Sequence, residues 1–250
     1  MQHSEENNPK SLEQSLLSDK KLLIVTGNYG SGKTEISVNL ALGLKVLGHK
    51  VTIVDLDLVN PYFRAREAMD ILTKNEVEVI VPTGEHFYAD LPILVPQVRA
   101  KIMRPDGFIV LDVGGDDVGA RVLASFSDVL TPEIYEMFFV VNVNRPFTEN
   151  VAGINRILRE VETASSCQVS GLIGNTHLMD YTDPDTIYEG FEVTSDFSRQ
   201  YDIPLKFTAV MREIVEKLDK SKIQSPILPL ERLLVPPFKR RIRKSPLYYV

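Results

Sequence analysis

The sequence predicts an α/β fold, a doubly wound and mostly parallel sheet of about seven strands with helices on both faces. Three observations predict it. Runs of Val, Ile, Leu and Phe recur along the chain without polar alternation, as in strands buried on both faces. Helical spacing separates these runs, first at Ile36, Leu40, Leu44 and Leu47. A glycine-rich turn joins the first run to that first helix.

Taken in order, residues 1–20 read as a polar tail, with a short helix candidate at 11–18. "KLLIVT" (21–26) is the first buried strand and "KVTIVDLD" (50–57) the second. "VEVIVP" (77–82), "GFIVLDVGG" (107–115) and "MFFVVNV" (137–143) follow. A helix runs through Val151, Ile154, Ile157, Leu158 and Val161. "QVSGLIGNT" (168–176) and "IPLKFTAV" (203–210) complete the seven. Strands alternating with helices make βαβ units, so 21–225 reads as one domain. "PTGEHFYADLPILVP" (82–96) reads as a long Pro-bounded loop, either a lid, a client site or packing. Residues 226–250 read as a Pro-rich, basic and aromatic tail.

Composition narrows the function classes. A net charge of −6 over 250 residues argues against a wholesale nucleic-acid binder. The single Cys, Cys167, forms neither an internal disulfide nor a CxxC pair. The polar N-terminus lacks an apolar signal core, and no apolar run reaches the roughly 18 residues of a membrane span. The expectation is a soluble, cytoplasmic protein.

The stretch "GNYGSGKTE" carries the chemistry. Gly27, Gly32, Lys33 and Thr34 match G-x-x-x-x-G-K-[ST], between an apolar strand and an amphipathic helix. Gly27, Gly30 and Gly32 let backbone N–H groups turn toward phosphate oxygens. The helix that follows points its positive end at the anion. Asn28, Tyr29, Ser31 and Glu35 complete the cradle. Lys33 reaches the β- and γ-phosphates, and Thr34 offers its hydroxyl to Mg²⁺. The plain alternative is a glycine-rich turn with a surface lysine.

Two other strands end in acids. Ligands in parallel sheets lie beyond the carboxyl ends of strands. "TIVDLD" ends in Asp55 and Asp57, and "FIVLDVGG" carries Asp112 before Gly114 and Gly115. A carboxylate there holds Mg²⁺ through water or orients an attacking water. Asp112 is the metal candidate and Asp57 the water-positioning one. Turn or cap roles are the structural alternatives, and Asp116 and Asp117 read as caps.

Together these segments resemble the CobQ/CobB/MinD/ParA group of P-loop NTPases, in the class that also holds signal-recognition GTPases and nitrogenase iron protein. The resemblance spans most of 21–220, on "GNYGSGKT", "VDLD", "DVGGDDVGAR", "VNVNRPFTENVAGI" and "IPLKFTAV". It implies that Asp57 is the switch I aspartate that activates water and Asp112 the switch II aspartate at the magnesium shell. It further implies that Asn175 contacts the base and that the loop at 208–212 closes over it.

The departures from that group are informative. Its MinD/ParA members carry a second lysine where this chain has Asn28. Arg64, Arg66 or Arg121 are candidates to replace it, or are solvated surface arginines. One Cys cannot supply the two per subunit of iron–sulfur-bridging relatives, nor the CxxC zinc clamp of tail-anchored-protein targeting relatives. "NTHLMD" keeps Asn175 but has Thr176 and Leu178 where guanine readers have Lys and Asp, which favours ATP.

His3, His49, His86 and His177 are scattered without metal-ligand spacing and read as structural or exposed. Cys167 reads as a core or surface thiol. Tyr62 and Phe63 read as core anchors or a partner surface. "KRRIRK" (239–244) reads as a solvated tail, an internal contact, or a site for a membrane surface, nucleic acid or an acidic partner; no aromatic residue lies within the run to stack on single-stranded bases.

The expected function is a Mg²⁺-dependent ATPase acting as a switch on a client protein or complex, with a homodimer possible. The alternatives are a ligase or kinase of the dethiobiotin-synthetase or cobyrinate-amidase type, a non-catalytic nucleotide-binding module, and a GTP-dependent metal insertion factor.

Overall fold

The computed structural model describes residues 20–56, 68–81, 87–115 and 117–234, without the side chains of 87–94, 117 and 118. Asp57, Arg64, Arg66, Tyr62, Phe63, Asp116, His3, His86, the 11–18 helix candidate and the basic run at 239–244 lie outside the described residues.

Eight strands form one sheet: β1 (Leu22–Gly27), β2 (Val51–Leu56), β3 (Glu78–Ile80), β4 (Phe108–Val113), β5 (Tyr135–Val141), β6 (Gly171–Gly174), β7 (Leu205–Met211) and β8 (Ile227–Leu230). Their order is β3-β2-β4-β1-β5-β6-β7-β8, and every pairing is parallel. The seven expected strands are present. The eighth extends the sheet past the boundary expected at 225. It is short, contains Pro229 and sits at the sheet edge, where a residue without an N–H is tolerated.

Helices cover both faces, as an all-parallel sheet requires. They are α1 (Lys33–Val46), α2 (Met69–Lys74), α3 (Phe87–Met103), α4 (Asp117–Ala124), α5 (Val151–Ser165), α6 (Pro184–Tyr201) and the short α7 (Arg212–Val215). Successive residues of β1 serve opposite cores. Leu22 and Ile24 pack with Val98 and Ile102 of α3, Leu123 of α4 and Ile154 and Leu158 of α5. Leu23 and Val25 pack with Ile36, Leu40 and Leu44 of α1. This is the period-2 alternation of a strand between two apolar layers.

α3 replaces most of the loop expected at 82–96. Pro92 and Pro96 signal a break locally, but Val95, Val98 and Ile102 recur at helical spacing and pack on the core. Local signals place α6 clearly: Asp183 caps it by accepting from Thr186 N at 2.9 Å, and Pro184 opens it.

The topology sets the site. The chain leaves β1 toward β2 across one face and leaves β5 toward β6 across the other. β1 and β5 are neighbours, with Gly27 opposite Val140. The loops after these two strands therefore diverge, and a crevice opens at their carboxyl ends.

Candidate nucleotide site

The loop between β1 and α1 fills that crevice. Gly32 caps α1 in the left-handed region, with φ 92°, and a Cβ there would lie 2.3 Å from Asn175 Nδ2. Only glycine meets both demands. Lys33 and Thr34 are buried at the first turn of α1. Lys33 Nζ donates to Asn28 O at 3.2 Å, so the ammonium curls back over the loop. Ser31 is fully buried within it.

Neighbouring loops hold this one in place. Asn175, at the end of β6, donates from Nδ2 to Ser31 O at 2.7 Å. That assigns Asn175 a clamp on the loop, with its amide nitrogen engaged there. From the loop after β5, Arg145 Nε donates to Gly30 O at 2.9 Å. Asn28 Nδ2 donates to Pro146 O at 2.6 Å, and Asn28 Oδ1 accepts from Tyr29 N at 2.7 Å. The Tyr29 ring is exposed.

The carboxylates sit behind the loop. Asp55 of β2 and Asp112 of β4 are register partners, and both are buried. Ser37, one helical turn after Thr34, donates its hydroxyl to Asp112 Oδ1 at 3.1 Å. Thr34 and Asp112 are thereby linked through one face of α1. The sequence singled out Asp57, which lies outside the described residues; the strand pairing adds Asp55. Gly115 follows β4, and a Cβ on it would fall 1.8 Å from Gly27 O. Gly115→Ala is expected to push the two loops apart, lowering the thermal midpoint by several degrees and weakening nucleotide binding at least tenfold. Calorimetric unfolding and nucleotide titration check this.

A cavity of about 150 Å³ opens beside the loop. Gly30, Gly32, Lys33, Thr34 and Arg145 line it, together with Asn175, His177, Met179, Met211, Arg232 and Leu234. Met211 comes from the 208–212 stretch expected to close over a base. Arg121, on α4, is exposed and is not part of this wall.

Glu35, expected to bind nucleotide, is engaged elsewhere as well as lining the cavity. Its carboxylate accepts from Leu233 N at 2.6 Å and Leu234 N at 3.3 Å. Asn39, one turn on, exchanges hydrogen bonds with the Glu231 backbone at 2.8 and 3.0 Å. Residues 231–234 are thus tied along α1 and form a cavity wall. Burial pushes the Glu35 carboxyl up to about 7 against those hydrogen bonds.

His177 is a wall residue as well, a role its sequence position did not signal. Its Nδ1 accepts from Met179 N at 3.4 Å, so the neutral ring carries its proton on Nε2. That nitrogen faces Gly32, 3.6 Å from where a Cβ would stand. Burial, with Arg145 and Arg232 nearby, pushes His177 down to about 4. Between pH 6.5 and 4 the unfolded chain takes up a proton that the folded one refuses, so this group's contribution to stability falls as pH drops. The stability advantage of the native protein over His177→Gln is expected to shrink by up to about 3 kcal/mol from pH 7 to pH 4. Urea titrations across that range measure it. Glu35 titrates in an overlapping interval with opposite sign, and the difference between the two proteins removes it.

No family model matches the chain. Over 67 residues it is 37% identical to the cytosolic Fe-S cluster assembly factor Nubp2 homolog of Drosophila ananassae, and 36% identical to that of Drosophila grimshawi. The matches cover 26% of this chain and 26% and 25% of those proteins, so the chain spans about a quarter of the length of the curated relatives it matches. Among solved structures, the cell division protein FtsY of Thermotoga maritima aligns with a TM-score of 0.51 at 17% identity, over 79% of this chain and 67% of that one. The signal recognition particle 54 kDa protein of Aeropyrum pernix, in complex with GDP, aligns at 0.50 with 16% identity, over 76% and 41%. At these identities the likeness is one of fold. The chain has the P-loop NTPase fold, and among the described residues no helix is long and apolar enough to cross a membrane.

Proposed function

We propose that this protein is a cytoplasmic, Mg²⁺-dependent ATPase that acts as a nucleotide switch on a partner protein or complex. The observation that carries the proposal is a glycine loop whose Lys33 and Thr34 line a cavity, with the buried Asp112 held by Ser37 one helical turn beyond Thr34. The backbone cradle and the cations fit a triphosphate. The hydroxyl of Thr34 and the carboxylates of Asp55 and Asp112 are the hard oxygen donors that suit Mg²⁺. Bound there, Mg²⁺ would neutralise phosphate charge, with Asp112 acting through water.

The chain's own residues then have distinct tasks. Lys33 holds the β- and γ-phosphate oxygens and stabilises the charge that develops on them. Asp57 orients the attacking water. The water oxygen bonds to the γ-phosphorus as the bond to the β–γ bridging oxygen breaks. ADP and inorganic phosphate leave, and the water's protons pass to phosphate and solvent. Because β4 runs directly into Gly114, Gly115 and α4, loss of the γ-phosphate is transmitted to α4, which presents the change to a partner.

ATP is favoured over GTP because Thr176 and Leu178 supply no carboxylate for guanine's N–H donors. The GDP of the signal recognition particle structure makes guanine the base to test against. The iron–sulfur role in the Nubp2 name does not carry over readily, since this chain has a single Cys, and it is buried.

Amide hydrogen exchange over 113–124, with Mg²⁺ and a slowly hydrolysed ATP analogue and then with ADP, tests the switch. Slower exchange with the triphosphate is expected. Identical exchange in both states would leave ATP as a mere co-substrate and refute the switch.

A further inference from the structure

We infer that Arg145 is a second catalytic cation of the site, supplied in cis: its guanidinium binds the phosphate groups of the nucleotide bound by the same chain. This rests on reading the cavity as a triphosphate site.

Placement comes first. β5 lies beside β1, so the loop after β5 stands at the crevice next to the phosphate loop. Arg145 Nε donates to Gly30 O at 2.9 Å. That bond orients the planar guanidinium along the loop, and the side chain lines the same cavity as Lys33 and Thr34. Among the described residues its terminal amino groups make no hydrogen bond or ion pair. They remain available for the bidentate contacts by which guanidinium recognises phosphate. The other cavity arginine, Arg232, is ion-paired with Asp180.

The loop that carries Arg145 is held rigidly. Thr148, fully buried, donates its hydroxyl to Asn142 O at 2.8 Å. Arg145 N donates to Asn142 O at 3.2 Å, and Thr148 N to Arg145 O at 3.1 Å. Asn144 N donates to Asn142 Oδ1 at 3.0 Å. Asn28 then fastens the loop through Pro146 O. So Asn28, which carries no charge to the phosphates, secures the neighbouring loop that does. A cation fixed in this way needs no reorganisation as charge develops, which is the condition for large electrostatic catalysis.

The test uses the full chain with Arg145→Ala, Arg145→Gln and Lys33→Ala. Arg145→Gln retains a donor for Gly30 O but drops the charge, which separates clamp from cation. Both Arg145 variants are expected to lower kcat at least about a hundredfold, with ADP affinity within about threefold of native. Guanidinium ion added at millimolar concentration is expected to rescue part of the Arg145→Ala activity. Mixing Arg145→Ala with Lys33→Ala is expected to restore nothing, because both cations serve one chain's nucleotide. Native kcat in Arg145→Gln, or equal loss of ATP and ADP binding, would reduce Arg145 to a loop clamp and overturn the inference. Recovery on mixing would place the arginine in trans and overturn its cis action. If Lys33→Ala also keeps full turnover, the failure belongs to the triphosphate reading itself.

Discussion

Lys33→Ala is expected to reduce ATP hydrolysis by two to three orders of magnitude and ATP affinity by more than tenfold. The magnitude follows from what one preorganised group contributes to a transition state that spreads negative charge over phosphate oxygens. Lys33 is buried at the first turn of α1, curled toward Asn28 O. Its ammonium is thus held where the loop would receive phosphate. Removing it takes a cation out of a buried position and leaves the sheet and both apolar cores untouched. The thermal midpoint should therefore stay at or above the native value while activity collapses. Phosphate release and calorimetric unfolding on the same preparation check both halves. A parallel loss of stability and activity would mean that Lys33 serves the fold.

Asp112→Asn is the second large effect. Asp112 is fully buried at the end of β4, beside Asp55 in register, and accepts a hydrogen bond from Ser37. Asparagine keeps the shape and can still accept from Ser37, but it removes the negative charge that would hold the magnesium shell. A fall of about a hundredfold in kcat is expected, with a several-fold higher Mg²⁺ concentration needed for half-maximal rate. A Mg²⁺ titration of the rate measures the effect. An unchanged half-maximal Mg²⁺ concentration would exclude Asp112 from the metal site.

The layered sheet was legible because its central strands are unbroken apolar runs, such as "LLIV", "FIVL" and "MFFVV". Such runs are buried on both faces and admit few other readings. β8 escaped because its four residues include a proline, and its place depends on an edge position that only the folded sheet defines. The α3 region was obscured by prolines that mark breaks locally, although its apolar spacing was helical throughout.

The phosphate loop stood out because local geometry alone dictates its glycines. Arg145 did not, since its contact with Gly30 spans 115 positions and exists only because β5 pairs with β1. The tie between Asn39 and Glu231 spans 192 positions and left no local mark. His177 looked like a scattered histidine until β6 carried it to the cavity. Long-range convergence of this kind follows from strand order, and strand order is set by the whole chain.

Phosphate release from ATP by the native chain, with Mg²⁺ and then with excess chelator, tests the central claim most directly, with Lys33→Ala run alongside. Steady release that chelator stops, and that Lys33→Ala lacks, is the expected result. Release that is indifferent to both chelator and Lys33, or no release from ATP in any condition, would contradict an ATPase built on this loop.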